Sequence, residues 1–397
     1  MVSLSTLLGR RAPRATRSAK QKRATSIYVA TTGSDSNAGT LAAPLLSIQA
    51  AVDKAVAGDT IYLRAGTYYP TVSIKFNKSG TSSAKYTITN YNSEKVIVDG
   101  ENMPYTPGAL DSSIPNADRG IFHIEGSYWR FIGLELIHGP YGIFARDASN
   151  NLYERLITRD NYETGLQIQG TASNNLVLNV DTYGNHDPRK NGESADGIGI
   201  KEGSGTGNIV RGLRTWNNVD DGLDFWLFES PITVENAYSW GNGVNRWNFT
   251  TFEGDGNGFK LGGGGGPPAA HVIRNSIAFQ NAQKGFTDNS QEGDMVIAGN
   301  TAWKNSAGVG FQFTTAAATL TANIAVNNGN GQTSLSGVTQ SNNSWTAGTW
   351  NDASFVSTSS SILTGARLAN GSIVANNFLL PATTAPNTAI GARIYGV

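Results

Sequence analysis

The sequence predicts an all-β solenoid, a parallel β-helix with a short N-terminal capping helix, and three observations predict it. The first is composition: 47 glycines in 397 residues and only 15% charged residues, with asparagine frequent. That balance suits short strands joined by turns in which Gly and Asn supply positive φ. The second is period. Asn161/Asn185, Asn218/Asn242 and Asn281/Asn305 are each 24 residues apart, and Gly165, Gly197, Gly222, Gly258 and Gly285 are each followed by an apolar residue. The third is what a leucine-rich repeat of similar period would need and this chain lacks: its leucine pattern. A repeat in the twenties built of short β segments and Asn turns fits one coil of a β-helix.

The elements run in order. Ile27 to Val29 reads as a strand, and Gly33 to Thr40 as a turn-rich loop. Ser47 is placed to cap a helix whose apolar residues Ile48, Ala51, Val52, Ala55 and Val56 share one face, with Gly58 as its stop. Such a helix before a strand array fits a cap over the open end of a solenoid core. Strands resume at Thr60–Leu63 and Gly66–Tyr68. They recur at Tyr86–Thr89, Val96–Val98, Ile121–Ile124, Trp129–Ile132 and Gly142–Phe144. Gly197 to Gly222 spans 25 residues, whereas the 36 from Gly222 to Gly258 require an inserted loop. The recurring Asn residues either stack as an internal hydrogen-bonded ladder or serve only as turn residues. After about Gly329 the register fades, and residues 330–397 are expected to form irregular last coils and an extended segment on the scaffold. The whole of 26–397 is expected to be a single domain.

Composition excludes several function classes. There is no cysteine, hence no disulfide framework or thiolate metal site. No run of about 18 apolar residues is present, so no membrane partner is expected. The net charge is zero, but seven basic residues and no acid occupy positions 1–23, leaving 23 basic against 30 acidic residues in the body. A basic arm can bind nucleic acid. A disordered leader or pro-segment over residues 1–25, ending near the dibasic Lys22-Arg23, is the plainer expectation, with no nucleic-acid partner. Sequons at Asn77, Asn248, Asn342 and Asn370 are compatible with a secreted, extracellular protein, and a monomer is expected.

The chemistry centres on Asn218-Val219-Asp220-Asp221-Gly222-Leu223-Asp224. Three carboxylates within five residues stay together only if a cation or strong donors neutralise them. An all-oxygen ligand set of this density suits a hard cation, Ca²⁺ above all. Aligning the glycines stacks equivalent positions about 4.8 Å apart on adjacent coils. The position before each glycine holds Thr164, Asp196, Asp221, Asn257 and Lys284. The position two after it holds Gln167, Gly199, Asp224, Lys260 and Thr287. Asp196, Asp220, Asp221 and Asp224 therefore converge as a Ca²⁺ site with Lys260 beside them. Lys201 and Lys284 extend a cationic track suited to an anionic polymer.

A structural Ca²⁺ is one reading. The other joins the parts in a reaction, β-elimination on a 4-linked uronate. Ca²⁺ on the C6 carboxylate acidifies the C5 proton, and Lys260 takes it as general base.

The segments Asp196-Gly197-Ile198-Gly199-Ile200-Lys201, Asn218 to Asp224 and Gly256-Asn257-Gly258-Phe259-Lys260-Leu261-Gly262 resemble the signature segments of polysaccharide lyase family nine. The resemblance runs from Tyr28–Tyr68 to about Phe313. It implies a right-handed parallel β-helix, a Ca²⁺-dependent pectate lyase, the four aspartates as ligands and Lys260 as base. The family also includes rhamnogalacturonan lyases, so the backbone of the anionic pectic polysaccharide stays open. A galacturonan hydrolase and a non-catalytic glycan-binding solenoid are the further alternatives.

Other residues are candidates for substrate contact. Arg189 and Lys190 lie in an insertion before Asp196, and Arg246 lies in the insertion before Lys260. Trp226, Trp240 and Trp247 either stack on sugars or pack, with packing expected for Trp240. His123, His138, His186 and His271 show no metal-ligand spacing, and most of them are expected to be ordinary surface or turn residues.

Overall fold

The structure, a computed structural model, describes residues 25–394. Positions 1–24 of the basic segment expected as a leader, Lys22-Arg23 included, lie outside the described residues.

The chain winds as a right-handed β-helix of three parallel sheets. The first sheet has 12 strands, from Ser26–Val29 to Thr339–Ser341, and the other two have 10 each. One of these runs from Ile74–Phe76 to Thr333–Leu335 and carries the candidate site; it is called the site sheet below. The third runs from Gly66–Tyr68 to Ile324–Val326. Each coil contributes one short strand to each sheet, as in Ile143–Arg146, Leu152–Glu154 and Ile157–Arg159. Because every strand pairs with its equivalent one coil away, side chains of one type stack along the axis. Inside, Phe259, Phe286 and Phe311 stack at 4.7 and 4.9 Å.

The asparagine ladder exists. Asn161, Asn185, Asn218, Asn242, Asn281, Asn305 and Asn328 form one buried chain. Each side-chain amide donates to the next side-chain oxygen, at 2.8–3.0 Å. It fills the corner between the third sheet and the site sheet, where the turning backbone would otherwise leave buried N–H groups without partners. Two shorter stacks occupy the other corners, Asn151, Asn175 and Asn208 and Asn300, Asn323 and Asn343. Of these, only Asn151 and Asn175 keep the 24-residue spacing.

The glycines that set the repeat are also explained. A Cβ on Gly222 would lie 2.0 Å from Ser239 Oγ and 2.8 Å from the Gly258 carbonyl, so no larger residue fits that corner.

The capping helix spans Ile48–Lys54, with the Ala50 N–H donating to Ser47 Oγ at 3.2 Å. It ends before the expected stop at Gly58, because Ala55 already turns to extended backbone. Beyond Gly329 two strands continue, Thr333–Leu335 and Thr339–Ser341. The tail then folds back over the outer face of the third sheet. There Phe378, Leu379 and Ile390 cover Tyr238, Phe279 and Trp303. A buried ion triad anchors it: Asp181 holds Arg214 and Arg367 at 2.6 Å each. Arg214 also donates to the carbonyls of Leu363 and Gly365 in the tail.

Candidate active site

The register that builds the site is the one the glycines imply. In the site sheet Gly199 pairs with Asp224, Asp224 with Lys260, and Lys260 with Thr287. Asp196 and Asp221, each just before an aligned glycine, lie one coil apart, and the Asp221 N–H donates to Asp196 Oδ1 at 3.3 Å. Asp196, Asp220, Asp221 and Asp224 are all buried, none more than 2% exposed.

Each aspartate uses one oxygen on the chain. Asp221 Oδ1 accepts from the backbone and side-chain N–H groups of Asn257 at 2.6 and 2.9 Å. Asp224 Oδ1 accepts from Trp226 N–H at 2.9 Å, and Asp220 Oδ1 from Asp255 N–H at 2.6 Å. The second oxygens of Asp196, Asp221 and Asp224 turn toward cations. Lys201 Nζ lies 2.6 Å from Asp196 Oδ2 and 2.8 Å from Asp224 Oδ2. Lys260 Nζ lies 3.1 Å from Asp221 Oδ2, 3.5 Å from Asp224 Oδ2 and 2.9 Å from Asp255 Oδ2. Asp221 Oδ2 is buried and accepts no hydrogen bond.

Five carboxylates, four of them buried, share two ammoniums, an excess of acid that a divalent cation would offset. The electrostatics express that surplus. Burial, more than Asp224 and Asp221, pushes the Asp196 carboxyl up to about 8 although Lys201 opposes it. Burial and neighbouring carboxylates raise Asp220 and Asp221 as well. The donor set therefore fits a hard cation. It resolves into two overlapping groups, each with one oxygen per residue within 4.8 Å of the others: Asp196, Asp221 and Asp224, and Asp220, Asp221 and Asp255. The expected quartet is thus divided, and Asp255, absent from it, belongs to the second group.

Burial alone would push the Lys260 amine down. Asp221, Asp224, Asp220 and Asp255 together outweigh burial and hold its proton well above the usual lysine range. The acids that would bind a cation therefore also hold this proton.

The cluster is the floor of a cavity of about 680 Å³. Three insertions wall it: residues 100–120, 186–194 and 244–255. They interlock. Arg189 donates to the Ser112 carbonyl at 3.2 Å, and the Glu253 N–H donates to the Asn191 carbonyl at 3.1 Å. Trp247 stacks on His186 at 5.0 Å.

Of the residues expected to contact substrate, Lys190 and Lys201 line this cavity, but Lys201 is engaged with Asp196 and Asp224. Arg189 also lines it, yet it is 3% exposed and tied to Glu163 at 2.8 Å. Arg246 is outside the lining; it is exposed and folds back on the Gly241 carbonyl at 2.8 Å. Lys284 is also outside the lining. Trp226 lines the cavity, whereas Trp240 packs between Trp216 and Phe279.

Two histidines correct the surface expectation. His271 is buried and accepts the Ile232 N–H, and His123 is 2% exposed. His138 groups with Asp99 and Glu101 in a set that could hold a metal, outside the cavity.

Residues not foreseen include Arg119, Tyr141, Glu163, Glu193 and Asp255. Arg119 and Asp255 come from inserted loops, outside the repeat that located the others. Glu163 sits just before Thr164 and could have been found by extending the aligned column one residue.

A family model described as Pel9A-like, right-handed β-helix region, matches residues 27–330. "Pectate lyase PEL9" of Emericella nidulans is 59% identical over 90% of this chain and 93% of its own length. "Pectate lyase L" of Dickeya dadantii is 35% identical over 87% and 81%. Among solved structures, that of pectate lyase Pel9A superposes with a TM-score of 0.78 at 31% identity, covering 91% of this chain and 90% of its own. A rhamnogalacturonan lyase superposes with a TM-score of 0.77 at 26% identity, covering 90% and 97%.

Proposed function

Because this chain belongs to the Pel9A-like right-handed β-helix family and acts as a pectate lyase, we propose that it cleaves polygalacturonate by Ca²⁺-assisted β-elimination with Lys260 as general base. The observation that carries this reading is the register. Lys260 stands one coil from Asp224 in the paired strands, in contact with Asp221, Asp224 and Asp255, at the floor of an open cavity. Asp196, Asp221 and Asp224 would hold the cation, with Asp220 on its flank. Bound there, Ca²⁺ would neutralise the C6 carboxylate of the substrate and so acidify the C5 proton.

The remaining steps fall to the chain. Lys260 must lose its proton to serve, and the carboxylates that retain it are the ones a dication would engage. Once neutral, its Nζ takes the C5 proton, the electron pair forms the C4–C5 double bond, and the C4–O4 bond breaks. The leaving oxygen is protonated from solvent, which the open cavity admits. The new ammonium returns to Asp255 and Asp221. Hydrolysis would require a protonated acid and a paired base, which leaves Lys260 without a task.

A polymeric pectic substrate points to action outside the cell, which supports secretion. The test is incubation with polygalacturonate and with rhamnogalacturonan, with Ca²⁺ or with excess chelator, followed by mass analysis. Unsaturated oligogalacturonides formed only with Ca²⁺ support the proposal. Saturated products, or full activity in chelator, overturn it.

A further inference from the structure

The cavity holds five cationic side chains: Arg119, Arg189, Lys190, Lys201 and Lys260. Three are committed to carboxylates: Lys201 to Asp196 and Asp224, Lys260 to Asp221, Asp224 and Asp255, and Arg189 to Glu163. Arg119 and Lys190 have no acidic partner among the described residues. They differ in how they are held. The Arg119 guanidinium lies over the Phe144 ring, 5.4 Å from its centroid, and its Nε donates to the Ile114 carbonyl at 3.4 Å. Phe144 is fully buried and packs with Tyr141 and Ile114 as a small apolar cluster set apart from the main core. An arginine laid on an aromatic face keeps its terminal N–H groups in a fixed plane. Among the described residues those groups have no hydrogen-bond partner. Tyr141, 7% exposed, packs on the same Phe144 ring at 5.5 Å and also lines the cavity, and its hydroxyl makes no hydrogen bond among the described residues.

A planar cation with free paired donors, next to a neutral O–H donor, is the complement of a carboxylate. We propose that Arg119, seated on Phe144 and assisted by Tyr141, is a second uronate subsite: it binds the C6 carboxylate of a galacturonate other than the one undergoing elimination. The proposal rests on the reading of the cavity as a galacturonan site. It assigns a specificity role to the 100–120 insertion, which the repeat does not require. In a homogalacturonan every sugar carries a carboxylate, so an anchor at a fixed distance from the reacting sugar is always satisfied. In a chain with neutral sugars or methyl esters at that place, the guanidinium would lose its water without gaining a partner.

The experiment is calorimetric binding in excess chelator, where no Ca²⁺ bridges substrate to the aspartates and no turnover occurs. The probes are oligogalacturonates long enough to span the cavity and their carboxyl-reduced, neutral counterparts. Arg119→Gln is expected to weaken oligogalacturonate binding tenfold or more while leaving the neutral oligomer unchanged. Arg119→Lys, which keeps the charge and loses the planar fork, is expected to fall between. Phe144 is left intact, so the variants disturb only a half-buried side chain, and matched melting temperatures check this. An Arg119→Gln protein that binds oligogalacturonate as tightly as wild type overturns the proposal, as does equal weakening for both probes. Because elimination is not measured, loss of the lyase reading and loss of the anchor give different results. The first would appear as the absence of unsaturated product with Ca²⁺, the second as an unchanged dissociation constant.

Discussion

Replacing Lys260 by methionine isolates the role of its amine, because methionine keeps the length and the packing of the stem. Lys260 is 8% exposed, with Nζ within 3.5 Å of Asp221, Asp224 and Asp255. Two effects should separate. A general base contributes about 10²–10⁴-fold to rate, so Lys260→Met should lower kcat by about that factor, roughly 3–5 kcal/mol of barrier. Removing the ammonium also leaves Asp221 and Asp224 buried with less counter-charge. Breaking a buried pair in this way costs about 3–5 kcal/mol. That cost should appear in chelator and be largely recovered in Ca²⁺, because the cation takes over the charge. The assay pairs ultraviolet detection of unsaturated product with melting in chelator and in Ca²⁺. A variant that melts like wild type in Ca²⁺ yet retains kcat within tenfold would refute Lys260 as the base. A variant that Ca²⁺ fails to rescue would refute the shared-charge account of the cluster.

Three further outcomes are expected from the geometry. Folded Asp196 holds its proton up to about 8, against 3.8 for the ordinary carboxyl. The folded chain therefore binds more protons than the unfolded one between these values, and stability falls as pH rises. In chelator the melting temperature should drop from pH 6.5 to 8, a window above the ordinary range of His271, whose burial-lowered value of about 3 acts in the opposite sense at lower pH. Excess Ca²⁺ should flatten that drop, and an unchanged slope would count against cation binding here. Asp181→Asn leaves Arg214 and Arg367 buried without their shared carboxylate and should cost about 3–5 kcal/mol, read as a shift in the urea midpoint. Asn218→Ala interrupts the ladder between Asn185 and Asn242 and leaves the buried Asn185 N–H without its acceptor. A loss of about 2–4 kcal/mol is expected from orphaned groups and lost volume, and a loss below 1 would mean that water replaces the side chain.

The site is legible in the sequence wherever it obeys the repeat. Asp196 and Asp221 share one position on successive coils, Asp224 and Lys260 share another, and the parallel register carries one member of each pair over the other. The Asn ladder is legible for the same reason. Arg246 misled because it lies in an insertion, where spacing carries no positional information; its guanidinium turns back to its own loop. Arg189 reaches the cavity but is drawn to the buried Glu163, an attraction that only three-dimensional proximity reveals.

The winding, the corners and the stacked column of acids and lysine are written in the order of residues, because these are periodic and each coil repeats its neighbour's geometry at fixed rise. It took the folded chain to show how the 100–120, 186–194 and 244–255 insertions close around that column, which cations remain uncommitted, and that Asp255 joins the cluster. Those outcomes depend on contacts between segments up to 77 residues apart that share no period, and their energies are set by burial and charge pairing that exist only once the coils are stacked.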